Sequence, residues 1–183
     1  KDERAAISEL WIAVFFVLAG IYALLAVPLK SYLQPLIIMS VIPFGLIGAI
    51  LGHFFLGKTV SIISLLGFIA LGGVVVNDSL IMVDFVNKKV RAGMSHAQAS
   101  VEAGTERFRP IILTSLTTFF GLVPILSETS TQAQMIIPMA ISLAFGILFA
   151  TIITLILVPA LYNIFADFMP DTRRSASAQA QPA

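Results

Sequence analysis

Two short stretches put hydrogen-bonding and ionisable side chains among apolar ones. "GVVVNDSLIMVDF" carries Asn77, Asp78 and Ser79, with Asp84 further on. "RFRPIILTSLTTFF" carries Arg107, Arg109, Thr114, Thr117 and Thr118. A carboxylate held among apolar groups is costly unless it is paired, hydrated or protonated, so one placed this way can bind and release a proton. Asn77 and Asp84 share a face of a helix, and Asp78 lies about 100° round from Asn77. Thr114, Thr117 and Thr118 stand at i, i+3 and i+4, again one face. Arg107 joins that face if the helix runs back through Pro110. Two such helices facing each other would form a polar seam, a carboxylate–amide pair against an arginine–threonine stripe. The plainer alternative is that Asp84, Arg107 and Arg109 are interfacial anchors and that the threonines bond back to their own helix.

A third stretch, "LGHFFLGKTV", spells G-x-x-x-x-G-K-T from Gly52 to Thr59. A phosphate-binding loop needs a strand before it and a helix after it, so that helix N-terminal N–H groups face the phosphates. Here the preceding residues, "IPFGLIGAILGHFF", read as the end of an apolar helix, and Gly57 as its terminator. No nucleotide site is expected. The chain has no cysteine, hence no disulfide framework or thiolate metal site. No catalytic residue, metal, cofactor or nucleic-acid partner is expected either. His53 and His96 read as an interfacial and a solvated loop residue.

The elements that must hold these residues are long and apolar. Of the 183 residues 58% are hydrophobic and 11% charged, with a mean hydropathy of +0.97, where a soluble domain carries roughly 25% charged residues. The composition therefore indicates an all-α integral membrane protein. Five segments are long enough to cross a bilayer, which takes about 20 apolar residues; they run over about 8–29, 35–56, 60–86, 110–126 and 135–165. None has a period-two pattern, so helices are the spanning option left, and a five-helix transmembrane bundle is predicted. The third and fifth exceed the bilayer thickness and should tilt or project. Between spans three and four, Ser95 followed by Gln98 is a capping-box pattern, which predicts a short amphipathic helix over about 95–104 lying along the cytoplasmic membrane surface. The tail over 169–183, "MPDTRRSASAQAQPA", is low in complexity and is predicted to be disordered and cytoplasmic.

Charge sets the orientation. Lys1, Arg4 and Lys58 fall on one side, and Lys30, Lys88, Lys89, Arg91, Arg107, Arg109, Arg173 and Arg174 on the other. Basic residues collect on the cytoplasmic side, which puts the N-terminus outside and the C-terminus inside. Translocating a start as charged as "KDER" predicts that more chain precedes it. Small residues, Gly48-x-x-x-Gly52 and Ser142-x-x-x-Gly146-x-x-x-Ala150, mark faces where helices approach closely.

With these residues in view the chain resembles the permease subunit of the resistance-nodulation-division (RND) efflux transporters. "GVVVNDSLIMVDF", "RFRPIILTSLTTFFGLVPIL" and "PMAISLAFGILFATIITLILVPALY" are similar to that family's tenth, eleventh and twelfth membrane helices, and "SYLQPLIIMSVIPFGLIGAILGH" to the end of the eighth and the ninth. The resemblance implies the last five of twelve helices of a proton-driven drug or amphiphile exporter, inactive alone. It implies an inner-membrane homotrimer with a periplasmic adaptor and an outer-membrane channel, and a bundle completed by the first seven helices and the periplasmic domains. Protein-export and lipid-export members of the superfamily are the alternatives, with a non-transporting scaffold or degenerate fragment a further one. It also places the family's proton relay: the arginine falls on Arg107, the threonine on Thr114 and the lysine on Asn77. Asn77 is a departure, because no cation stands there and an acid, Asp78, follows. Asp84, Thr117 and Thr118 are secondary candidates.

Overall fold

The computed structural model describes residues 2–165. The predicted tail lies outside them. Every regular element is a helix: α1 Asp2–Leu29, α2 Gln34–Met39, α3 Ile42–Phe55, α4 Ile62–Arg91, α5 His96–Leu126 and α6 Thr131–Phe165. α2 and α3 together make one span, so that five segments are long and apolar enough to cross a membrane. The break between them falls at Ser40 and Val41, just before Pro43. Proline has no N–H for the fourth carbonyl back, here that of Met39; just before it the Val41 N–H turns to the Ile38 carbonyl, and the Ser40 hydroxyl takes up the Ile37 carbonyl at 2.6 Å.

The helix ends follow from local chemistry. α4 opens with a reciprocal capping box: Ser61 accepts from the Ser64 N–H, and the Ser64 hydroxyl oxygen accepts from the Ser61 N–H. Its last turn carries Lys88, Lys89 and Arg91, cations that suit a helix C-terminus. α5 is capped by Ser95, which accepts from the Gln98 N–H at 3.3 Å. Between α5 and α6, Glu128 Oε1 accepts from the N–H groups of Ser130 (3.1 Å) and Thr129 (3.0 Å); these bonds hold its carboxyl below the usual range.

One expectation needs correction. The helix predicted over 95–104 is not a separate element. It is the first part of α5, which runs without interruption through Pro110 to Leu126. Gly104 is helical, since the positive-φ glycines among the described residues are Gly57 and Gly93. Pro110 removes one N–H, the partner of the Glu106 carbonyl, and Glu106 is exposed, so the missing bond does not stop the helix.

α6 is the hub: α3, α4 and α5 all pack on it. α4 and α6 run in the same direction, with Gly67 against Met139, Leu71 against Gly146 and Asn87 against Tyr162 along their lengths. α5 runs the other way, with Phe119 beside Phe145 and Ser115 bonded to Thr151. Glycines set the separation. A Cβ on Gly48 would come within 2.7 Å of the Phe145 carbonyl oxygen, and one on Gly67 within 3.0 Å of the Met139 Cα. Lipid offers no hydrophobic drive for helix association, so such close approach supplies the packing energy. The basic end of the bundle holds the 30–33 and 92–95 turns; the opposite end holds the 56–61 and 127–130 turns. Gly67→Val should lower stability by about 1–3 kcal/mol, since the obstacle is backbone and cannot rotate away; an unchanged melting temperature in detergent would refute that packing.

Candidate functional site

The candidate residues lie on α4 and α5, on the side turned away from α6. Successive positions on α4 step from exposed Asn77 through half-buried Asp78 to fully buried Ser79. The Ser79 Oγ has no hydrogen-bond partner among the described residues. Neither Asn77 nor Asp78 bonds another side chain among them. Asp84 pairs with Lys88, one turn on, at 2.7 Å, with both side chains at least half exposed. It is a local pair one turn apart near the end of α4, and it joins no second helix.

On α5 the threonines return their hydrogens to their own helix. Thr114 donates to the Ile111 carbonyl at 2.9 Å, Thr118 to the Thr114 carbonyl at 2.9 Å, and Thr117 to the Leu113 and Thr114 carbonyls. This matches the plainer alternative. Their oxygens still have lone pairs to offer a donor. Thr114 and Thr117 are exposed and Thr118 half-buried.

Arg107 is half-buried with its guanidinium over the Phe85 ring of α4, 4.7 Å from the centroid, a cation–π arrangement. Its Nε is buried and has no hydrogen-bond partner among the described residues. Beside it, Lys89 also faces Phe85, at 5.2 Å, and is held by Glu102 at 2.6 Å and Glu106 at 3.2 Å. Because α5 is continuous, Arg107 and Thr114 do share one helix. Arg107 lies at the level of Phe85, and α4 and α5 are antiparallel. Seven residues back toward the opposite end, about 10 Å on each helix, bring Thr114 and Asp78 to the same depth. The seam residues are thus matched in depth and half open on one face, with no bond joining α4 to α5 between them.

Several polar contacts were not read from the sequence. His53, in the last turn of α3, is 3% exposed and enclosed by the bundle. Its Nδ1 lies 2.9 Å from the Ala49 carbonyl and its Nε2 2.8 Å from the Ser64 Oγ. A carbonyl only accepts, so Nδ1 carries the hydrogen and Nε2 accepts from the Ser64 hydroxyl. His96 is the first residue of α5, half-buried, with its ring 5.9 Å from that of Tyr162; it is not a free loop residue. Ser115 and Thr151 share a hydrogen bond in the interior. Gln34 and Tyr162 both bond Asn87 at the basic end. These partners are far apart in sequence, and no local pattern marks them.

The G-x-x-x-x-G-K-T stretch forms a helix terminus. Gly52 and His53 are inside α3, Gly57 takes φ +61, and the Lys58 N–H bonds back to the His53 carbonyl at 3.0 Å. Lys58 Nζ donates to Gln134 of α6 at 3.1 Å. Among the described residues no group of three or more His, Cys, Asp or Glu could hold a metal ion.

Comparison with known proteins fits this arrangement. The AcrB/AcrD/AcrF family matches over residues 1–166. The chain belongs to this family. Within it, the swarming motility protein SwrC of Bacillus subtilis (strain 168) is 30% identical over 168 residues, 91% of this chain and 16% of that protein. Two crystal structures of a heavy metal efflux pump share the fold. Crystal form II has a TM-score of 0.81 and 30% identity, covering 91% of this chain and 17% of that one. Crystal form I has a TM-score of 0.78 and 29% identity, covering 91% and 16%. The chain therefore spans about a sixth of the length of these relatives, and it corresponds to part of the membrane region of an RND permease, a transporter family. Ser64→Ala would strip His53 Nε2 of its donor and the Ser61 N–H of its acceptor, one half of the α4 capping box. It should cost about 1–3 kcal/mol, read as a lower melting temperature than that of Ser40→Ala, which removes one half-buried hydroxyl with a single bond to its own helix.

Proposed function

We propose that this segment is the proton-coupling part of a proton-driven RND exporter of drugs or other amphiphiles, and that it transports nothing by itself. The observation that carries the reading is the open polar face of α4 and α5. Asp78 lies among apolar residues with no cation paired to it among the described residues, Thr114 stands at its depth, and Arg107 offers a guanidinium whose Nε is unsatisfied. Buried polar groups left open at membrane depth call for partners. The natural ones are carboxylates on helices outside this segment. With Asn77 where the family has lysine, the titrating unit is Asp78 together with the carboxylates that Arg107 would pair with on helices outside this segment, and Asn77 hydrogen-bonds a protonated partner rather than neutralising a charged one. Uptake of a proton changes that pairing, and the helices shift.

The excess of Lys and Arg at one end supports a cytoplasmic C-terminus and a periplasmic N-terminus in an inner membrane. Family membership supports a homotrimer with a periplasmic adaptor and an outer-membrane channel. Cargo is chosen by portions outside this segment, since function sits in sites rather than folds. Metal ions are the second reading for the cargo, favoured by the two heavy metal efflux pump structures. In a full-length permease carrying this segment, Asp78→Asn and Arg107→Ala should each reduce export to background at unchanged membrane level. Normal export by both would remove the relay assignment. Survival of cells expressing the parent on drugs against survival on metal salts separates the two cargoes.

A further inference from the structure

The polar group at the basic end lies apart from the open face and has no role in it. Gln34 opens α2 and is 6% exposed. Its Nε2 donates to Asn87 Oδ1 at 2.9 Å, and Asn87 Nδ2 donates back to Gln34 Oε1 at 2.9 Å. The hydroxyl of Tyr162, 1% exposed, donates to the same Asn87 Oδ1 at 2.7 Å. One α4 side chain thus binds α2 and α6 together by three bonds. A reciprocal amide pair is directional. A slip of one helical residue, about 1.5 Å, would break both of its bonds, whereas apolar side chains slide past each other at little cost.

What α2 is attached to gives this pair its consequence. α1 buries Leu25 and Leu29 near its basic end, while Trp11, Phe15, Phe16, Leu24 and Val27 stay exposed. Toward the other end Leu18 and Ile21 still pack on the core, but the contact is incomplete: they line, with Val14, Ile42 and Phe68, a wholly apolar crevice of about 70 Å³. α1 therefore meets the bundle chiefly through its last turns and the short 30–33 connection to α2, where Lys30 takes φ +48 and the Tyr22 hydroxyl bonds the Tyr32 carbonyl at 3.2 Å.

We propose that Asn87 is a positioning residue that ties α4, the helix of Asn77 and Asp78, to α2 and so to α1, passing an axial movement of α4 on to α1. This rests on the proton-coupling reading above. Asn87 lies nine residues beyond Asp78, about 13 Å along the same helix, outside the polar face itself.

The test uses a full-length permease carrying this segment, in proteoliposomes, with export and proton uptake measured separately. Asn87→Leu removes all three hydrogen bonds and should cut export at least about tenfold, the lower end of their combined worth. Melting temperature should fall, since Gln34 and Tyr162 lose their bonds to Asn87, but proton uptake by the folded protein should stay near the parent value, so that the two activities come apart. The exchanged pair, Gln34→Asn with Asn87→Gln, keeps the amides and should recover most of the export. Tyr162→Phe removes one bond and no volume, and should lower export by a smaller factor even if Asn87→Leu fails to fold. Parent-level export by Asn87→Leu, or by Tyr162→Phe where Asn87→Leu does not fold, would overturn the proposal. So would export and proton uptake falling in step with melting temperature, the sign of a purely structural pin. Asp78→Asn run alongside separates the two ideas. Normal export by that variant ends the relay reading whatever Asn87→Leu does, whereas loss in Asp78→Asn with normal Asn87→Leu ends only the link to α1.

Discussion

The separation between α6 and its neighbours governs the rest. In lipid, apolar surface gains little by meeting other apolar surface, and what holds helices together is contact between atoms that can get close. α3 and α4 bring Gly48 and Gly67 against the α6 backbone. With those distances fixed, the buried hydroxyls find their partners: Ser115 meets Thr151, and Tyr162 reaches Asn87. The polar bonds of the interior are thus a consequence of backbone proximity.

The same packing decides what is left open. α4 uses one side on α6, which buries Ser79 and leaves Asn77 at the surface with Asp78 between. α5 does likewise, burying Ser115 and exposing Thr114. The polar face is what remains after the interior has been satisfied. Its threonines are satisfied by their own helix, so they cost nothing while unpartnered; Asp78 and the Nε of Arg107 are different, since nothing in their own helices relieves them. Ser79 Oγ, buried next to Asp78, is likewise without a partner among the described residues, so the unrelieved polar groups gather at Asp78–Ser79 and at Arg107.

Much of this was legible in the sequence because it depends on local composition. Long apolar runs can be nothing but helices at membrane depth, Ser95 with Gln98 marks a cap, and Gly57 before Lys58 marks a terminator. Pro110 misled, because a proline costs a helix one bond but stops it only where an alternative conformation is available to the chain. The bonding of His53 gave no sign because its partner Ser64 lies beyond a turn, and that of Gln34 gave none because Asn87 lies 53 residues away, with Tyr162, the other partner of Asn87, 75 residues further on. Hydropathy finds the spans. It does not find which polar residue on one meets which on another, since that follows from rotation and depth.

Depth itself has a source that is easily overlooked. Asp78 and Thr114 are level because the connection between α4 and α5 is four residues long, from Ala92 to Ser95, and two long antiparallel helices then pair off like the halves of a folded ruler. Remove one residue from that fold and each marking on α5 moves against α4 by about 1.5 Å and turns by about 100°. The alignment of the polar face is in this sense stored in the length of a turn that contains none of its residues.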